Sequence, residues 1–244
     1  MMKREMKRLA KRALFRVRRD PVSGHLWYPV EGKRLYIRSA EECERPHHRR
    51  YALDHVYFGH YRPGGGDVVV DFGAGLGTEI VGLAVSAPDI RYIAVEIQPW
   101  VYECLSLTLQ QLPAGYVPYQ LSLGGAVRIT PTRAGIDGTV LGEGQVPVEG
   151  IDWAGFIARH DIAHIDLLKM NIEGAEAHLA DVIDWSIVRR AIISAHDFRA
   201  DRGDGEHFRT RAKVTATLER EGFTVTPITG EADWMRSWIY AARA

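Results

Sequence analysis

A chain of 244 residues, 46% hydrophobic and 25% charged, is long enough to bury a sizeable core. Its composition excludes a disordered chain, a collagen-like repeat and a coiled coil. The 31 lysines and arginines balance 31 aspartates and glutamates, so bulk attraction to nucleic acid is not expected.

In chain order, the charges prove uneven. Residues 1–20 hold nine basic and two acidic side chains, and residues 131–184 hold ten acidic and three basic ones. Met2, Met6, Leu9, Ala13 and Leu14 recur at near-helical spacing, which predicts a basic amphipathic helix. Three roles stay open for it: a solvated helix on the body, a contact with anionic membrane or nucleic acid, or a homodimer contact. No apolar stretch of a secretory signal follows the basic start, and no apolar run reaches the roughly 18–20 residues of a membrane span. Cys43 and Cys104 form no CxxC pair, which points to a reducing, cytoplasmic compartment.

Residues 26–38 alternate around Glu31-Gly32, a hairpin signal. Residues 47–61, rich in His and Tyr, predict a helix, and Arg62–Gly66 a turn. Residues 67–72 read as a buried strand, a short β-branched run bounded by glycines. Strands and helices then alternate: helix 77–86, strand 90–96, helix 99–112 stopped by Pro113, and short strands at 116–122 and 126–130. After a Gly-rich loop come helix 152–159, strand 164–170, helix 174–183, strand 190–196 and helix 206–221. Strands 223–228 and 236–242 close the chain. The alternation predicts an α/β fold, a mostly parallel sheet with helices on both faces. The last two strands are joined too closely for a crossover, so they should pair antiparallel.

The segment Asp71-Phe-Gly-Ala-Gly-Leu-Gly77-Thr78 follows a strand and opens a helix, at the carboxyl ends of the strands, where open α/β folds bind ligands. Its glycines allow close backbone approach and positive φ. The spacing is G-x-G-x-G, with Thr78 in the sixth position where dinucleotide enzymes have Gly or Ala. Asp71 would repel a pyrophosphate and welcome a cationic amino group. D-x-G-x-G-x-G is the pattern of S-adenosylmethionine (SAM) binding, so Asp71, Gly73, Ala74, Gly75, Gly77 and Thr78 are candidate cofactor residues. Glu96, ending the second strand, can hold ribose hydroxyls, with Ile97 beside it. Ser122, after the third strand, is a candidate adenine contact.

A second motif, Asp166-Leu-Leu-Lys-Met-Asn171-Ile-Glu173-Gly-Ala-Glu176, places charge where a strand ends. Such charges are costly to bury unless they bind something; the alternative is an ion pair of Lys169 with Glu173 or Glu176 that shapes the turn. His196-Asp197 follows the next strand. A neutral His196 suits a general base, with Asp197 to orient it, and Glu173 is the other candidate for base or acceptor clamp. Asn171 completes the cofactor set. His196 suits Mg²⁺ poorly, so no metal is expected. His47, His48, Tyr51, His55 and Tyr57 could line an acceptor pocket from the preceding helix.

Residues 166–176 resemble the iDllKxDxEGxE signature of FkbM-type methyltransferases, and Tyr57–Gly77 is similar to that family's approach to the SAM loop. Asn171 stands where the family usually has Asp, and Glu96-Ile-Gln-Pro99 is one residue longer than its EP spacing. The resemblance implies a class I, Rossmann-like methyltransferase fold with a seven-stranded sheet and one reversed C-terminal strand. Residues 1–50 would then be an extension and 51–244 the methyltransferase domain. It also implies SAM-dependent O-methylation of a sugar or small natural product. A nucleic-acid methyltransferase using the basic tail is the alternative, although the (D/N)PP(Y/F) motif of amino-group methylases is absent.

Overall fold

The computed structural model describes residues 2–130, 140–141 and 146–243; most of the Gly-rich loop expected before residue 152 lies outside them. The basic segment forms helix α1 (Met2–Leu14). The hairpin pairs Leu26–Val30 with Lys33–Ile37. Its turn residues Glu31 and Gly32 have φ of 45° and 74°, the two successive positive values that a two-residue turn between twisted strands requires. Leu35, Ile37 and Tyr28 of the hairpin share a core with Leu76, Val101 and Cys104. Helix α2 (Pro46–Tyr51) runs on into a π-helical turn, Ala52–Tyr57, a local widening found often at functional sites.

The main sheet holds β1 (Val68–Phe72), β2 (Arg91–Val95), β3 (Tyr116–Tyr119), β4 (Leu167–Met170), β5 (Arg190–Ser194), β6 (Thr224–Pro227) and β7 (Trp238–Ala242). Their spatial order is β6-β7-β5-β4-β1-β2-β3. β7 runs antiparallel to both neighbours, and β1 to β5 pair in parallel. This is the expected class I methyltransferase arrangement with one reversed strand.

The apolar runs of the strands follow from helices on both faces. Val70, Phe72, Ile93, Val95, Leu168, Met170 and Ile193 face α5 (Trp153–Arg159), α6 (Glu176–Val182) and α8 (Arg211–Arg220). The alternate residues Val69, Tyr92, Ala94, Leu167 and Ile192 face α3 (Thr78–Ser86) and α4 (Pro99–Leu109). The chain runs outward from β1 to β3 and then returns to place β4 on the other side of β1. The carboxyl ends of β1 and β4 therefore flank the topological switch point, where a crevice opens.

Several elements differ from expectation. Helix α8 starts at Arg211, not 206, because the Asp197 carboxylate accepts from the Thr210 and Arg211 N–H groups and fixes its beginning there. The short α7 (Asp197–Asp201) precedes it, on a stretch too short and polar to show a period. Val146–Val148 forms a strand against Val127–Ile129, within a segment read as loop. Among the described residues no helix is long and apolar enough to cross a membrane.

Phe156 is wholly buried, with its ring 5.4 Å from Phe72 and 6.1 Å from Trp153. Phe156→Ala should lower unfolding free energy by about 3–5 kcal/mol in urea titrations, with an unchanged far-UV spectrum in the absence of denaturant.

Candidate active site

The glycine loop is stitched to β2 by its backbone. The Gly73 and Ala74 N–H groups both donate to the Val95 carbonyl, at 2.9 and 3.0 Å. Gly73, Gly75 and Gly77 all have positive φ. At Gly73 a side chain is also sterically barred: a Cβ would lie 2.0 Å from the Asn171 carbonyl oxygen. The loop thus joins the ends of β1, β2 and β4 around a cavity of about 380 Å³. Gly73, Ala74, Gly75 and Thr78 border it, with Glu96 and Ile97 beyond β2, Ser122 beyond β3, and Asn171 and Glu173 beyond β4. Glu96 is 5% exposed; its carboxylate accepts from Gly75 N–H at 3.0 Å and Gln98 N–H at 2.8 Å. Burial pushes its pKa up, against these two hydrogen bonds.

Two of the candidate cofactor residues do not border the cavity. Gly77 caps α3 and packs on α4, where a Cβ would stand 3.0 Å from Leu105. Asp71 lies beneath the loop and is fully buried. Its Oδ1 receives Lys169 Nζ at 2.9 Å and its Oδ2 receives the Tyr92 hydroxyl at 2.7 Å. The expectation that Asp71 meets a ligand's ammonium is therefore corrected: the ammonium it meets is Lys169. Lys169, 1% exposed, also reaches Glu79 at 2.8 Å. Burial disfavours the lysine's charge, but Asp71 and Glu79 more than reverse this and hold its pKa above the ordinary value. The alternative pairing of Lys169 with Glu173 or Glu176 does not form, since Lys169 is taken by Asp71 and Glu79. β4 ends at Met170, so Asn171 and Glu173 do not continue the strand's alternation to share a face with Lys169.

Glu173, Glu176 and His196 form a second cluster. Glu173 and His196 have positive φ, 54° and 40°, uncommon for residues with a Cβ and a mark of local strain. His196 is 3% exposed. Its Nε2 lies 3.1 Å from Glu173 Oε1 and its Nδ1 2.8 Å from Glu176 Oε1. Burial alone would lower its pKa, but the two carboxylates outweigh this and push it up to about 9. His196 is thus a cation at neutral pH and does not border the cavity, so the expectation of a neutral imidazole base is corrected. Asp197 does not orient it; its carboxylate caps α8. Glu176 closes its own turn, accepting from Ile172 and Gly174 N–H at 3.2 and 3.0 Å. Glu173 borders the cavity, and its Oε2 holds Arg199 at 2.7 Å. Burial raises its pKa, but His196 and Arg199 together hold it below the usual carboxylate range.

Other cavity residues escaped the sequence reading. Glu79 sits in the first turn of α3, and its place two residues beyond Gly77 was the available signal. Glu44 and Arg49 come from the segment before the π-helical turn, where no local pattern distinguishes them. Of the five His and Tyr residues considered for an acceptor pocket, Tyr57 borders the cavity and the other four are exposed. Leu121 and Leu123 give it an apolar side. Asp71, Glu79 and Lys169 together leave one surplus negative charge, and Glu96, held by N–H groups, adds a second. The cavity suits a ligand with a polar cationic end and a flat apolar part.

Residues 119–225 match the family model described as the methyltransferase FkbM domain, as the motif resemblance implied. No curated protein matches the chain in sequence. Among solved structures, the chain is similar to a precorrin-6y C5,15-methyltransferase from Geobacter metallireducens, at 14% identity and a TM-score of 0.46, over 82% of this chain and 91% of that one. It is also similar to Aeropyrum pernix fibrillarin with natively bound S-adenosyl-L-methionine, at 15% identity and a TM-score of 0.47, over 91% and 84% of the two chains.

Lys169→Met leaves the buried Asp71 carboxylate facing the half-buried Glu79 without a cation between them and should cost about 3–5 kcal/mol of stability, read from urea unfolding. His196 gives a pH dependence of definite sign. Its pKa rises on folding from 6.5 to about 9, so its stabilisation is complete below pH 6.5 and is lost as the pH climbs through 9. Unfolding free energy should fall by up to about 3 kcal/mol across that window, and the fall should be absent in His196→Gln.

Proposed function

Because residues 119–225 match the model of the methyltransferase FkbM domain, we propose that the chain is a cytoplasmic SAM-dependent methyltransferase that methylates a hydroxyl of a sugar or small natural product. The observation that carries this reading is the Glu96 carboxylate, hydrogen-bonded to Gly75 N–H at 3.0 Å on the wall of the glycine-loop cavity. The residues present fit the cofactor. A carboxylate at the end of the second strand offers free lone pairs to ribose hydroxyls. A Cβ at Gly75 would meet nothing within 4 Å, so the loop's surface there is open. Ser122 with Leu121 and Leu123 supplies a mostly apolar seat for a purine, and the surplus negative charge favours a sulfonium and an ammonium.

When bound, the cofactor supplies an activated methyl group. The chain's own task is to present the acceptor oxygen in line and to take up its proton. Of the two base candidates, Glu173 is the one on the cavity wall. His196 and Arg199 bind one oxygen each, fixing its orientation and keeping it ionised. That makes Glu173 the hydrogen-bond acceptor that aims the acceptor hydroxyl and takes its proton as the methyl group is transferred, with His196 as a positioning residue behind it. Tyr57, Glu44 and Arg49 form the cavity wall on the α2 side, where the acceptor would enter.

Titration calorimetry with SAM tests the reading. Glu96→Ala should weaken SAM binding by about 10- to 100-fold, the value of one or two hydrogen bonds to a charged group. Glu173→Gln should leave SAM affinity within a few-fold while lowering kcat. Absence of SAM binding by the unaltered chain would overturn the proposal.

A further inference from the structure

Helix α1 turns its apolar stripe away from the body. Met6 and Leu9 are 63% and 59% exposed, with Ala10 and Ala13 exposed beside them and Leu14, 67% exposed, at the rim. On the opposite side of the helix, Lys11 reaches back to the body and donates to the Glu41 carbonyl at 2.9 Å. Beyond the last turn, Phe15 anchors the segment against Tyr28, with ring centroids 5.9 Å apart. A helix packed on a globular surface normally does the reverse, burying its apolar face. Here Lys11, on the basic side, holds to the protein while the Met6–Leu9 face meets solvent.

The charge around that face selects its occupant. Residues 2–14 hold six lysines and arginines and one glutamate, and Arg16, Arg18 and Arg19 follow, all three exposed. A second copy of this chain would bring two such clusters together, at a repulsive cost. Nucleic acid would match the charge but leave the Met6–Leu9 stripe uncovered. An anionic bilayer surface satisfies both: acyl chains take the stripe and headgroups take the basic flanks. We propose that α1 with the following arginines docks the protein on an anionic lipid surface, lying in the interfacial plane.

Vesicle sedimentation of the full chain tests this, using phosphatidylcholine vesicles with and without phosphatidylserine. The chain should sediment with the serine-containing vesicles, less so as salt rises, and stay in solution with phosphatidylcholine alone. Met6→Asp with Leu9→Asp should abolish sedimentation without changing the thermal midpoint, since both side chains are exposed. Lys7→Gln with Arg16→Gln should lower the vesicle partition coefficient about thirtyfold. Sedimentation with neither vesicle, or sedimentation indifferent to the Met6 and Leu9 pair, would overturn the proposal. So would a concentration-dependent dimer that Leu9→Asp dissolves, or RNA retention that the aspartate pair leaves intact without vesicle binding.

Discussion

The buried ammonium of Lys169 is the contact on which the cavity's architecture depends. It lies between Asp71 of β1 and Glu79 of α3, at 2.9 and 2.8 Å, with Tyr92 of β2 completing the Asp71 carboxylate. Four elements are thereby bound at one point, immediately under the glycine loop. A buried ion pair is weak evidence for stability when a well-packed apolar alternative exists, and its common use is to specify one arrangement. Here the arrangement specified is the register of β4 against β1 and the entry of α3, which together set the loop's path.

Above that point the backbone takes over. Gly73 is pressed against the Asn171 carbonyl, and the loop hangs from Val95 and Glu96. The end of β4 is built in a similar way, with the Glu176 carboxylate collecting the N–H groups of the turn before it and the Nδ1 of His196. The two strained backbones, at Glu173 and His196, meet across a hydrogen bond that each supports. A carboxylate facing the cavity is thus held from behind by two cations and from below by its own turn. Its orientation is fixed before any ligand arrives, which is the condition for useful positioning.

Much of this was legible in the sequence, and for identifiable reasons. The strand–helix alternation, the Glu31-Gly32 turn and the reversed last strand rest on periodicity and connection length, which are local properties. The cavity positions of Gly73, Ala74, Gly75, Thr78, Glu96, Ile97, Ser122, Asn171 and Glu173 follow from one topological rule about strand ends. The partners of Asp71, Lys169 and His196 did not follow. Asp71 and Lys169 are 98 residues apart, and the choice of Lys169's partner turned on β4 stopping one residue before Asn171. The charge state of His196 depended on Glu176, 20 residues away, whose role as a turn-closing acceptor has no sequence period. Asp197 was read as a partner of its neighbour, but the backbone turns between them and delivers it to a helix end.

The surplus negative charge near the glycine loop has a bearing on turnover. On the proposed reading, each catalytic cycle converts a sulfonium to a neutral thioether, so the bound molecule loses one unit of positive charge in place. A wall on which Glu96 has no cationic partner among the described residues, together with the net negative Asp71–Glu79–Lys169 group, holds the first species more firmly than the second. The same charges that attract the cofactor then weaken retention of the spent product, and the bias toward its release is built into the resting protein.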